Sequence, residues 1–212
     1  MRASTPLNRL AVALAALALV AVPVTTASAA PASGTAPAAV LSASEAALGV
    51  DYTAWKRDVA AVVAEARPWI QARSEKAGTE KQAIVLDIDN TSLETYFHPF
   101  WQQPTPAIAE VLDLVRYADS RGVDIFFVTA RPGIVESLTR WNLRTTGYPV
   151  DGLYVTDFGD LFQIAAYKAE KRAVIEAKGY RIIANIGNND SDFAGGHAER
   201  GFKLPDYGGK LS

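Results

Sequence analysis

Two carboxylates, Asp87 and Asp89, stand two residues apart directly after the apolar run Ala83 to Leu86. Side chains two apart on an extended chain point the same way, so both face one pocket while Ile88 turns into the core. Two carboxylates at one strand end repel each other, and a metal ion or a shared proton relieves that cost. Such a pair can divide a phosphoryl transfer between them. Asp87 attacks phosphorus and becomes an aspartyl phosphate, while Asp89 protonates the leaving oxygen and later activates water. Asp-x-Asp alone is not specific, since it also caps turns and occurs in metal-binding glycosyltransferases and calcium loops. The calcium loop is excluded: Ser92 stands where a loop starting at Asp87 requires Gly, and Gly201 stands where one starting at Asp190 requires Glu.

The elements that must position these residues follow from the apolar pattern. Ala83 to Leu86, Ile125 to Val128, Leu153 to Val155 and, broken only by Asn185, Ile182 to Ile186 are short continuous apolar runs, as strands buried on both faces require. Helical patterns lie between them at about 107–120, 133–145 and 163–178, the last closed by Gly179. Ahead of the first strand, Trp55, Val59, Val62, Val63, Ala66 and Trp69 mark an amphipathic helix. That alternation predicts an α/β, Rossmann-like parallel sheet with helices on both faces. Ligands of such sheets bind beyond the carboxyl ends of the strands. Those ends read Asp87-Ile88-Asp89-Asn90-Thr91, Thr129-Ala130-Arg131, Thr156-Asp157 and Gly187 through Asp192.

Asp-Ile-Asp-Asn-Thr after an apolar strand resembles the first motif of the haloacid dehalogenase superfamily, and the later motifs follow in order. Ile125 to Arg131 resembles the second, Tyr167-Lys168 with Arg172 the third, and Gly187 to Asp192 the acidic fourth. The resemblance is to class B acid phosphatases and the related plant acid phosphatases and vegetative storage proteins. It implies Mg²⁺ held by the Asp87 carboxylate, the Asp89 carbonyl and oxygens of the fourth motif, and a small cap insertion after the first motif. It also implies phosphate binding by the Thr129 hydroxyl and Lys168. Lys168 is preferred to Lys171 on the resemblance alone. Thr129 could equally be a turn former, and Arg131 either orients phosphate or pairs with a carboxylate. The fourth motif departs from the usual Gly-Asp-x-x-x-Asp, because Asn188 follows Gly187 while Asp192 is kept. Asn188, Asp190 and Asp192 therefore all stand as candidate metal ligands.

Between the first two motifs, Tyr96, Phe97 and Trp101 form an aromatic cluster that reads either as a substrate wall or as ordinary core. His98 and His197 are the only histidines, far apart and without cysteine, so they are expected at the surface and zinc is disfavoured. Phosphate monoesters are the implied substrates. The rivals are a storage-type relative that binds phosphate esters but turns over weakly, and a phosphotransferase passing the same phosphoryl group to an alcohol.

Composition bounds the rest. Of 212 residues, 49% are apolar and 21% charged, which suits one globular domain, here expected over residues 52–212. A net charge of −2 offers no basic patch for nucleic acid. Arg2 and Arg9 precede the apolar run Leu10 to Val22 and the small-residue site Ala27-Ser28-Ala29, the pattern of a secretory signal peptide over residues 1–29. The run falls short of the roughly 20 residues a spanning helix needs. Residues 30–51, rich in Ala, Pro and Ser at the start, read as a flexible leader. With no cysteine, an oxidising exterior places no demand on the fold.

Overall fold

A computed structural model describes residues 49–157 and 159–211. The expected signal peptide and residues 30–48 of the expected leader lie outside them. The last residues of that leader belong to the fold instead: Val50 is buried, and the Asp51 side chain accepts from Ala54 N at 2.6 Å to cap the first helix. Helix α1 (Tyr52–Ser74) then buries Trp55, Val59, Val63, Ala66 and Ile70 along one stripe.

Five parallel strands form one sheet in the order β3-β2-β1-β4-β5. They are β1 (Gln82–Leu86), β2 (Asp124–Pro132), β3 (Gly152–Thr156), β4 (Arg181–Gly187) and β5 (Gly201–Lys203). Helices α2 (Ala109–Ser120), α3 (Glu136–Thr145) and α4 (Ile164–Ala177) connect them. Alternate residues of the strands feed two cores. Ile84 and Leu86 of β1, with Ile125 and Phe127 of β2, pack with α1, α2 and Leu143 of α3. Ala83, Val85, Phe126 and Val128 pack with Tyr167 and Ile175 of α4 on the opposite face.

The expected strands and helices are present within a few residues. Strand β2 overruns its expected end, because Pro132 still pairs with Thr156. The helical pattern from Gly133 begins as a 3₁₀ turn (Gly133–Val135) before α3. β5, three residues with only Phe202 buried, had no apolar run to announce it. Between β1 and α2 the chain makes a compact loop pinned by the bridges Asp89 to Leu93 and Leu93 to Ala107.

Candidate active site

Strand β1 delivers Asp87 to the carboxyl edge of the sheet, where its N–H continues the ladder to the Ile186 carbonyl at 3.0 Å. The chain then turns through Asn90, whose φ of 54° is left-handed and suits an asparagine. The Asn90 side-chain oxygen fixes the turn by accepting from Tyr96 N at 2.8 Å. Asp87 is buried, whereas the Asp89 side chain is 42% exposed, so the two carboxylates meet very different surroundings.

Helix α4 contributes Lys168. Its Nζ lies 2.8 Å from Asp87 Oδ1 and 2.5 Å from Asp192 Oδ1, all three side chains being buried. Burial alone would lower the Lys168 pKa, but Asp87 and Asp192 more than offset it and raise it. Burial pushes the Asp87 carboxyl up to about 7; Lys168 pulls it down, and Asp192 and Asp89 push it up again. Lys171, three residues further along the helix, pairs instead with exposed Glu170 at 2.9 Å.

Asp192 reaches the site because Gly187 has no side chain: a Cβ there would stand 2.2 Å from Asp192 Oδ2. Its Oδ2 accepts from Asn189 N at 2.9 Å and its Oδ1 from Lys168, so both oxygens of this candidate metal ligand carry a hydrogen bond. Asp190 does not compensate for Asn188, since its side chain is turned to solvent on Lys203. Arg172 holds the loop beyond β4 through the carbonyls of Asp192 (2.5 Å), Gly196 (2.8 Å) and Ala194. Burial lowers the Arg172 pKa.

A cavity of about 510 Å³ brings together Asp87, Asp89, Lys168, Asn188, Ala130 and Leu211. Thr129 is fully buried beside it and accepts from Arg131 N at 3.2 Å, which leaves its O–H free to donate. Arg131 takes the second of its two expected roles. Its guanidinium forks onto Asp89, with Nε to Oδ2 at 3.0 Å and Nη2 to Oδ1 at 2.8 Å. A second cavity of about 300 Å³ also opens on Asp89 and is lined by Arg131, His98, Phe100, Gln103 and Leu138.

The expected aromatic wall is corrected by this geometry. Phe97 is core, packed on Tyr52 and Trp55 with ring centroids 4.9 and 4.7 Å away, and Tyr96 packs edge-on against it. Trp101 meets Phe100 edge-to-face but is itself 73% exposed and does not line the cavity beside Asp89; Phe100 does. His98 is also not a surface residue. Its side chain is 13% exposed and meets buried Glu94 at 3.4 Å, whereas His197 pairs with Glu176 near the surface. His98, Phe100, Asn90 and Leu211 are site residues that the sequence did not single out.

The donor set suits a hard cation. Asp87, the Asp89 carbonyl and the Asn188 amide supply oxygens, and two buried carboxylates face one ammonium, a surplus of negative charge that a divalent ion would balance. Among the described residues no group of three or more His, Cys, Asp or Glu is placed to hold a metal, so a cation here would also need amide or carbonyl oxygens.

A parallel sheet that ends its first strand in two aspartates, answered by a buried lysine and an acidic turn, defines the haloacid dehalogenase class of fold. The chain belongs to the HAD superfamily, subfamily IIIB (acid phosphatase), whose model matches residues 7–210. It is 33% identical over 105 residues to the stem 28 kDa and stem 31 kDa glycoproteins of Glycine max, a match covering 47% of this chain. That match spans only 41% and 36% of those two proteins. Among solved structures, the class C acid phosphatase of Bacillus anthracis aligns with a TM-score of 0.56 and 22% identity, over 74% of this chain and 71% of that one. The same enzyme with tungstate bound aligns with the same TM-score and identity over 73% of its chain. At that identity the likeness is one of fold.

Proposed function

We propose that this protein hydrolyses phosphate monoesters in two steps through Asp87. The observation that carries the reading is the buried Asp87–Lys168–Asp192 cluster opening into a cavity that it shares with Asp89. In the first step an Asp87 oxygen bonds to phosphorus, the bond from phosphorus to the leaving oxygen breaks, and protonated Asp89 gives that oxygen its proton. In the second, water attacks the aspartyl phosphate, Asp89 takes the water's proton, and phosphate leaves. Lys168 and the Thr129 hydroxyl offset charge on the transferring group, and Asp192 keeps the lysine in place.

Asp87, the Asp89 carbonyl and the Asn188 amide oxygen are the groups that would hold Mg²⁺. When bound, the ion would supply positive charge that offsets the negative charge of the nucleophile and of the phosphate. Asp89 stands where the two cavities meet, so the leaving group that it protonates points into the cavity lined by His98 and Phe100. The family supports phosphate-ester chemistry, and the N-terminal pattern supports export with cleavage after Ala29. Among the described residues no helix is long and apolar enough to cross a membrane.

The test is hydrolysis of a chromogenic aryl phosphate with Mg²⁺ and with chelator, for the wild type and Asp87→Asn. Turnover in the wild type with Mg²⁺ alone, and none in the variant, supports the reading. Wild-type turnover by Asp87→Asn refutes it.

A further inference from the structure

Two side-chain amides converge on one carbonyl beside the cleft. Asn188 Nδ2 donates to the Leu211 oxygen at 2.9 Å, and Asn90 Nδ2 donates to the same oxygen at 2.8 Å, both bonds being buried. A carbonyl oxygen only accepts, so each amide must turn its nitrogen to Leu211. The Asn188 oxygen is thereby turned the other way, where it accepts a buried hydrogen bond from Thr91 Oγ1 at 3.3 Å. The segment that brings Leu211 here is anchored at its start, at Tyr207 and at Leu211, while residues 208–210 are exposed. Leu204 N donates to the Gly187 carbonyl at 2.8 Å, Tyr207 donates its hydroxyl to Asp58 at 2.7 Å, and the Leu211 side chain is 2% exposed.

We propose that the Leu211 carbonyl is a positioning group for the cation site, so that docking of residues 205–211 and binding of a divalent cation are linked. With Leu211 holding the nitrogen and Thr91 taking one lone pair of the oxygen, the second lone pair of that oxygen is what the Asn188 amide has left for the cleft. Without Leu211 the amide is free to flip and offer N–H groups to a cation. The same geometry accounts for asparagine at position 188. A carboxylate there would oppose the Leu211 carbonyl, acceptor against acceptor, whereas an amide donates to the segment and accepts toward the cleft. Linkage makes the effect reciprocal: a docked segment tightens the ion, and the ion protects the segment by the same factor. This inference rests on the reading that the cleft takes Mg²⁺.

The experiment measures Mg²⁺ affinity by calorimetry and backbone hydrogen exchange of residues 206–211, with and without Mg²⁺. It uses the full chain as wild type, Leu211→Ala, Tyr207→Phe and Asn188→Asp. Mg²⁺ should slow exchange of the segment in the wild type. Leu211→Ala should weaken Mg²⁺ roughly five- to tenfold, the scale of one hydrogen bond, and Tyr207→Phe, which loosens the segment from its outer side, should weaken it less. Asn188→Asp should speed exchange of metal-free 206–211 and abolish the protection by Mg²⁺. If the wild type binds Mg²⁺ but its exchange ignores the ion, and Leu211→Ala and Tyr207→Phe bind Mg²⁺ as the wild type does, the linkage is overturned while the metal reading stands. If the wild type gives no heat with Mg²⁺, the metal reading falls and the linkage falls with it.

Discussion

Replacing Lys168 by methionine keeps a long unbranched side chain in the same channel and removes only the ammonium between Asp87 and Asp192. Two buried carboxylates are then left without their shared cation. Breaking a buried ion pair from one side costs about 3–5 kcal/mol. At about 2–4 °C per kcal/mol for a domain of this size, that is a fall in Tm of roughly 6–20 °C in the metal-free protein. The loss has a defined pH dependence. The Asp87 carboxyl already titrates at about 7 in the fold against 3.8 as its ordinary value, and removing the lysine raises it further. A carboxyl raised by folding costs nothing below its ordinary pKa of 3.8, costs increasingly more above it as the unfolded chain ionises, and costs the full amount above its folded pKa. The gap between wild type and Lys168→Met should therefore be widest at pH 8 and narrow as the pH falls through about 7, with little further change from this carboxyl toward pH 4. Calorimetric melting in chelator across that range measures it. A gap under about 2 °C at pH 8, less than about 1 kcal/mol, or one that widens as the pH falls, would refute the reasoning.

Phe100→Ala should raise KM for aryl and nucleoside phosphates about fivefold, the worth of about 1 kcal/mol of ring contact, with less effect on small alkyl phosphates. Trp101→Ala should do less, and steady-state kinetics on the two substrate classes separates them. Asp119 is exposed, yet partial desolvation raises its carboxyl, with Asp151 and Asp124 adding to it, an effect that solvent screens. Ionised Asp119 is therefore unfavourable in the fold, and Asp119→Asn should raise Tm at pH 7 but not below pH 4, as read in paired melting curves.

The sheet was legible because strands buried on both faces must be apolar throughout, and β1, β2 and β4 carry that pattern without a helical period to confuse it. β5 was not, since a three-residue edge strand with one buried side chain has no pattern to show. Asp87 and Asp89 could be read from their spacing at a strand end. Lys168 needed the resemblance, because its helix carries Lys171 as well, and only packing decides which lysine turns inward. The aromatic cluster after β1 was undecidable from residue type. Phe97 and Phe100 are three residues apart and the same chemically, yet one is core and the other lines a cavity. The Leu211 clamp joins residues 23 and 121 positions apart in sequence, a contact that no local pattern encodes.

The central claim is that phosphorus passes through Asp87. Mixing the protein with Mg²⁺ and an aryl phosphate, quenching in acid within one turnover and mapping the peptides by mass addresses it directly. One added phosphoryl group is expected on the peptide holding Asp87 in the wild type, longer-lived in Asp89→Asn and absent in Asp87→Asn. A phosphoryl group found on any other residue, or turnover that persists in Asp87→Asn, would contradict it.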